Sequence, residues 1–105
     1  MILRIVGLPV APGREDELQA AFDDAYGPIR SLPDCLYLAL LRSDTADREY
    51  LTVSLWTSRG ALAEYRRSEL FATVWPRIRA TLAAKAWARS YDFRKGDEPW
   101  AGPGC

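Results

Sequence analysis

The chain has 105 residues, which is the size of one domain and leaves no room for separate catalytic and regulatory halves. Fourteen basic residues balance fourteen acidic ones, so the chain lacks the basic excess that a phosphate backbone or an anionic membrane surface would attract. Histidine is absent, which excludes within this chain a Ser-His-Asp or Cys-His nucleophile, a His-ligated metal and a His-bound haem.

The first element is the β-branched and apolar run Ile2-Leu3-Arg4-Ile5-Val6-Gly7-Leu8, closed by Pro9 and by Pro12-Gly13, and it reads as a strand. Next, Leu18, Ala21, Phe22, Ala25, Tyr26, Ile29 and Leu32 share one helical face, with Glu15, Asp16 and Glu17 at its acidic start. Gly27-Pro28 is expected to kink or interrupt this helix, and Leu32-Pro33-Asp34 to end it. Cys35 to Leu41 is apolar throughout and too short for an ordinary helix, so it reads as a second strand, with Cys35 a buried small hydrophobe. A polar turn leads to Tyr50-Leu51-Thr52-Val53-Ser54-Leu55-Trp56, which alternates strictly and predicts a hairpin with the preceding strand. From Ser58 a helical period carries Ala61, Leu62, Tyr65, Phe71, Val74, Trp75, Ile78 and Leu82, interrupted near Ser68 or Pro76. Its spacing assigns Phe71 and Trp75 to the core and leaves Arg66-Arg67 on a solvated face. Lys85 to Phe93 is the last strand, and residues 94–105 form a Gly- and Pro-rich tail anchored only by Trp100.

The order strand-helix-strand-strand-helix-strand predicts an α+β, ferredoxin-like domain over 1–93, with a four-stranded antiparallel sheet and two helices on one face. Side chains alternate across a strand, so Leu51, Val53 and Leu55 form one row, and Tyr50, Thr52, Ser54 and Trp56 the other. The aliphatic row is expected beneath the helices. The aromatic and hydroxyl row is then left on the open face, joined by Trp87, Arg89 and Tyr91 of the last strand, with Ala86, Ala88 and Ser90 beneath the helices. An open face so apolar predicts pairing with a second copy, the two sheets enclosing an aromatic-lined cavity. No apolar run reaches the length of a membrane span, Met1 leads straight into the first strand, and Cys35 and Cys105 have no spacing that suggests a bond. The expectation is a cytoplasmic protein that binds neither nucleic acid nor membrane. Gly-rich phosphate loops are missing as well, so a nucleotide cofactor has no recognisable cradle.

The Pro-Gly turn, the helix, Leu32-Pro33-Asp34-Cys35-Leu36, the hairpin ending in Trp56, and Ser68-Glu69-Leu70-Phe71 together resemble the antibiotic biosynthesis monooxygenase family. The likeness runs over roughly 1 to 93 and implies a dimeric α+β barrel. Many such proteins oxygenate electron-rich phenolic polyketides without metal or flavin, and some relatives degrade haem. Haem-degrading relatives use an Asn on the first strand and a Trp and a His on the second helix, where this chain has Val6, Tyr65 and Trp75. The turn that is often Pro-Gly in the family is Pro33-Asp34 here.

If the activity follows the resemblance, the mechanism needs no cofactor: the pocket favours a deprotonated polyphenol, whose carbanion reacts with dioxygen. Such a site requires a cation near the phenolate. Arg89 is the first candidate, because a guanidinium keeps its charge in an apolar site and stacks on rings such as Trp87 or Tyr91; Arg4 is the second. Tyr50 or Tyr91 is placed to donate a hydrogen bond to the developing oxyanion, a device worth ~3 kcal/mol of barrier. Trp56 and Trp87 supply flat walls, and Thr52 and Ser54 the hydroxyls. The other readings are a non-catalytic or stress-associated binding module on the same barrel and a polyketide cyclase or isomerase. An RNA-recognition domain shares the element order, but Glu49 to Trp56 lacks the basic residue, Gly and spaced aromatics of such a strand.

Overall fold

A computed structural model describes residues 1–97; Trp100 and Cys105 lie outside the described residues. The elements run β1 (Ile2–Pro9), α1 (Glu15–Arg30), β2 (Cys35–Arg42), β3 (Glu49–Trp56), α2 (Arg59–Arg66), α3 (Glu69–Arg79) and β4 (Trp87–Asp92). One sheet has the order β2-β3-β1-β4, with every neighbouring pair antiparallel. β2 therefore runs parallel to β1 with β3 between them, which is why the link from β1 to β2 is a whole helix while that from β2 to β3 is a short turn.

Helix α1 runs through Gly27-Pro28 without interruption. Proline removes one backbone donor, and in the last turn that loss is single: the Ser31 N–H reaches Gly27 O at 3.0 Å beyond it. Tyr26, placed on the buried face by its spacing, is 44% exposed, and Leu18, Ala21, Phe22, Ala25 and Ile29 carry the burial alone. The second helical period is divided in two, so three helices cover the sheet rather than the expected two. The division falls at Ser68, whose hydroxyl accepts from Phe71 N (3.2 Å) to cap α3 and donates to Tyr65 O (2.6 Å) to close α2.

The face expected of β3 is reversed. Tyr50 and Trp56 are buried at 7% and 2% against the helices, with Thr52 and Ser54 between them. Leu51, Val53 and Leu55 point the other way, paired across β1 with Gly7, Ile5 and Leu3. Alternation assigns residues to rows but does not sign the rows, and both rows of β3 are apolar enough to be covered. Trp56 settles the choice: it stacks on Tyr65 of α2 at 4.9 Å, and an aromatic ring of its size removes ~150–250 Å² from water. The open face thus combines Tyr37, Ala39 and Leu41 of β2, the aliphatic rows of β3 and β1, and Trp87, Arg89 and Tyr91 of β4. On β4 the other row faces the helix side as expected, but Ala88 stays exposed, because β4 packs mainly on β1 and α2 reaches it only at its far end, through Arg59 to Asp92.

The covered face holds two apolar clusters. One gathers Ile2, Ala25, Ile29, Cys35, Trp56 and Leu62; the other gathers Leu8, Val10, Leu18, Ala21, Tyr50 and Ile78. Val74 of α3 packs against both. Burying one such leucine or isoleucine is worth about 1.5–3 kcal/mol. Cys35 is 2% exposed, and burial pushes its thiol pKa up. Beyond α3, Thr81 O accepts from Ala11 N and Pro9 O from Ala83 N, which ties the end of the helix to the end of β1.

Candidate functional site

Between the two clusters the sheet and helices do not close. They leave a cavity of about 80 Å³ whose floor is Arg4, Val6, Thr52, Ser54 and Trp56 of the sheet and whose roof is Phe22 of α1 with Tyr65, Phe71, Val74 and Trp75 of α2 and α3. The roof exists because of the break at Ser68: α2 presents Tyr65 and α3 presents Phe71, and the two rings meet edge to face at 5.4 Å. Phe71 in turn stacks on Trp75 at 6.2 Å. A ladder of four rings, Trp56, Tyr65, Phe71 and Trp75, therefore borders the space. Trp56 and Tyr65 also form part of a surface cleft with Pro33, Glu64 and Ser68, so these two rings stand between the cavity and solvent.

The polar groups are few. Trp56 Nε1 donates to Ser54 Oγ at 2.9 Å, which fixes the indole plane against the floor. Arg4 donates from its guanidinium to Ser90 Oγ of β4 at 3.1 Å, its cross-strand neighbour. Burial depresses the Arg4 pKa, and repulsion from the Arg66 guanidinium adds to the effect. Burial also pushes the Tyr65 phenol up to about 12, with the neighbouring Cys35 adding to it, so the phenol is neutral through the whole physiological range. A neutral phenol in such a site donates a hydrogen bond and does not act as a base.

Of the residues singled out in the sequence, Arg4, Thr52, Ser54 and Trp56 come together here. Tyr50 shares their face of the sheet but is packed in the cluster around Leu8 and Val10. Trp87, Arg89 and Tyr91 lie on the opposite face, with the sheet between them and the cavity. There Arg89 sits 5.5 Å over the Trp87 ring in a cation–π contact. Trp87 in turn lies flat on Gly7, where a Cβ would stand 2.0 Å from its Cε2 and Nε1. Tyr65, Phe71, Trp75 and Arg66 are the lining residues that spacing alone assigned to core or solvent. Helical period distinguishes a covered face from an exposed one, but not a covered residue that touches its neighbours from one that borders a void.

The sequence matches the family model described as antibiotic biosynthesis monooxygenase over residues 1–75. No match is found among curated proteins. Among solved structures, a candidate antibiotic biosynthesis monooxygenase from Caulobacter crescentus superposes with a TM-score of 0.83 at 24% identity, covering 90% of each chain. Rv0793 from Mycobacterium tuberculosis gives 0.83 at 20% identity, over 92% of this chain and 98% of that one. The N63A variant of SnoaB, a cofactor-independent oxygenase from Streptomyces nogalater, gives 0.80 at 17% identity, over 90% and 94%. These likenesses carry the fold, and the family model carries the membership: the chain belongs to the antibiotic biosynthesis monooxygenase family.

Proposed function

We propose that this chain is a cofactor-independent monooxygenase of an aromatic polyketide or polyphenol, working as a homodimer paired through the open sheet faces. The observation that carries the reading is a ring-lined cavity with the Arg4 guanidinium on its floor, in a chain of this family. SnoaB, similar in fold, is a cofactor-independent oxygenase, which supports the same chemistry here.

The cavity's parts suit an oxygenation driven by the substrate itself. Trp56, Tyr65 and Phe71 flank a planar ring system, and Arg4 stabilises the phenolate or enolate over the neutral phenol. The ionised ring passes electron density to its activated methylene carbon, which bonds to dioxygen; the resulting peroxide loses water and leaves a carbonyl. One oxygen atom ends in the product and one in water, so the methylene gives up the four electrons that dioxygen takes. Tyr65, neutral to about pH 12, and the hydroxyls of Thr52 and Ser54 supply donors for the developing oxyanion. A cavity of about 150 Å³ is known to accept benzene, so a fused ring system enters this smaller space only as the Tyr65 or Trp75 ring swings aside. Arg89, Tyr91 and Trp87 belong in this proposal to the face shared by the two copies.

The test is oxygen uptake by metal-free protein with anthrone- and naphthol-type polyphenols. Uptake that survives chelation, falls about 100-fold in Arg4→Gln and persists in Arg89→Gln is the expected result. Binding without uptake moves the assignment to a non-catalytic binding module, and product formed without dioxygen consumption to a cyclase or isomerase.

A further inference from the structure

Three ion pairs among the described residues, Arg14–Glu17, Arg59–Asp92 and Arg77–Asp24, each give an arginine a carboxylate. The two arginines at the cavity, Arg4 and Arg66, have none among the described residues. Arg4 spends one guanidinium donor on the neutral Ser90 hydroxyl, and a guanidinium has five. Arg66 lies in the last turn of α2, where the helix dipole offsets part of its charge, but nothing comparable faces Arg4 on the strand. Two like charges thus line one apolar space, and the Arg66 charge adds to the burial that lowers the Arg4 pKa. A guanidinium keeps its proton under such conditions; solvent eases the exposed Arg66, and an anion between the two relieves the part-buried Arg4.

From this arrangement we infer that the cavity's ligand is an aromatic acid, its anionic group held jointly by Arg4 and Arg66 and its ring among Trp56, Tyr65 and Phe71. The inference rests on the cavity proposed above as the active site, though not on its oxygen chemistry. It narrows the substrate class: a ring bearing a carboxylate, or a phenol acidic enough to be ionised near neutral pH, is preferred to a neutral polyphenol of the same shape. Two cations gripping one planar anion also fix which edge of the ring faces the floor, since a guanidinium pairs with a carboxylate along two parallel hydrogen bonds.

The test compares benzoate with benzamide and 2-naphthoate with 2-naphthamide, pairs alike in shape and different in charge, by calorimetry or quenching of tryptophan fluorescence. The acids are expected to bind about tenfold more tightly than the amides, with the advantage shrinking as salt is raised. Arg4→Gln and Arg66→Gln should each remove that advantage, while Arg67→Gln, the next residue along and outside the cavity, keeps it. Circular dichroism checks that Arg4→Gln is folded; if it is not, the exposed Arg66 decides the matter. Equal binding of acid and amide, a preference that survives both cavity variants, or no binding of either class overturns the inference. Oxygen uptake separates it from the reading it rests on: a charge preference without uptake on any polyphenol defeats only the oxygenase, and uptake without charge preference defeats only the aromatic acid.

Discussion

Tyr65 shows how much a single side chain at this site depends on its surroundings. Its phenol is raised from 10.0 to about 12 by burial, so the folded protein holds the proton at pH values where the unfolded chain has released it. The sign follows from proton counting: below pH 10 both states are neutral and burial of the phenol contributes fully, whereas between about 10 and 12 the unfolded state binds fewer protons and stability falls as pH rises. Tyr65→Phe removes that dependence without removing the ring. Wild type is expected to lose up to about 2 kcal/mol relative to Tyr65→Phe across this window, part of it screened by solvent at the cleft. Urea midpoints of the two proteins at pH 9 and 11.5 measure it, and parallel curves would refute the assignment. Gly7 is a second such position. Its lack of a side chain lets the Trp87 ring lie on the strand, so Gly7→Ala should lift the indole off the sheet at a cost of about 1 kcal/mol. The Trp87 Nε1–H resonance reports this directly, and a resonance left in place would mean that the ring does not depend on the gap.

At the scale of elements, the junction of α2 and α3 decides the shape of the cavity. Ser68 serves both helices through one hydroxyl, and Ser58 caps α2 in the same way by accepting from Ala61 N at 3.1 Å. Ser68→Ala should cost about 1 kcal/mol, the usual worth of an N-cap, and should also loosen the Tyr65–Phe71 contact that roofs the cavity. Thermal melts read the first effect and ring-current shifts of the Phe71 protons the second; a change confined to stability would separate the cap from the roof. That the helical period breaks was legible in the sequence, as were all four strands, because strand alternation and helical period are local signals; the place was read as near Ser68 or Pro76, and the cap at Ser68 decides between them. The face of β3 was not legible. Tyr50, Thr52, Ser54 and Trp56 alternate with Leu51, Val53 and Leu55, and which row is covered depends on Tyr65 and Leu62 arriving from another part of the chain. The interruption read at Pro28 failed for the opposite reason: whether a proline stops a helix depends on how many turns follow, and only Ile29 and Arg30 do. The candidate site inherited the reversal of face, so Arg4 of β1 and Thr52, Ser54 and Trp56 of β3 come together at one cavity, Tyr50 is packed in the core, and the residues read from β4 stand behind the sheet.

The sheet as a whole has two apolar faces and the helices cover only one. Ile5, Val53 and Ala39 align across three strands in the middle of the uncovered face, flanked by Leu41, Trp87 and Tyr91, each between 46% and 47% exposed. An apolar surface of this breadth is the mark of an interface, and a second copy offers the same apolar surface in return, as a two-fold pairing requires. The described groups that line the cavity, in contrast, come from the covered face and the helices above it. The two properties should therefore separate. Val53→Lys places a charge at the centre of the open face, where pairing would leave it buried without a partner. Sedimentation is expected to find the wild type as a dimer and this variant as a monomer, while its affinity for an aromatic acid stays within about twofold of wild type, since Val53 does not reach the cavity. A wild-type monomer would remove the pairing from the proposal and leave the cavity untouched. A monomeric variant that is folded yet no longer binds would show instead that the partner holds the α2–α3 roof in place through the sheet, and that the site belongs to the dimer.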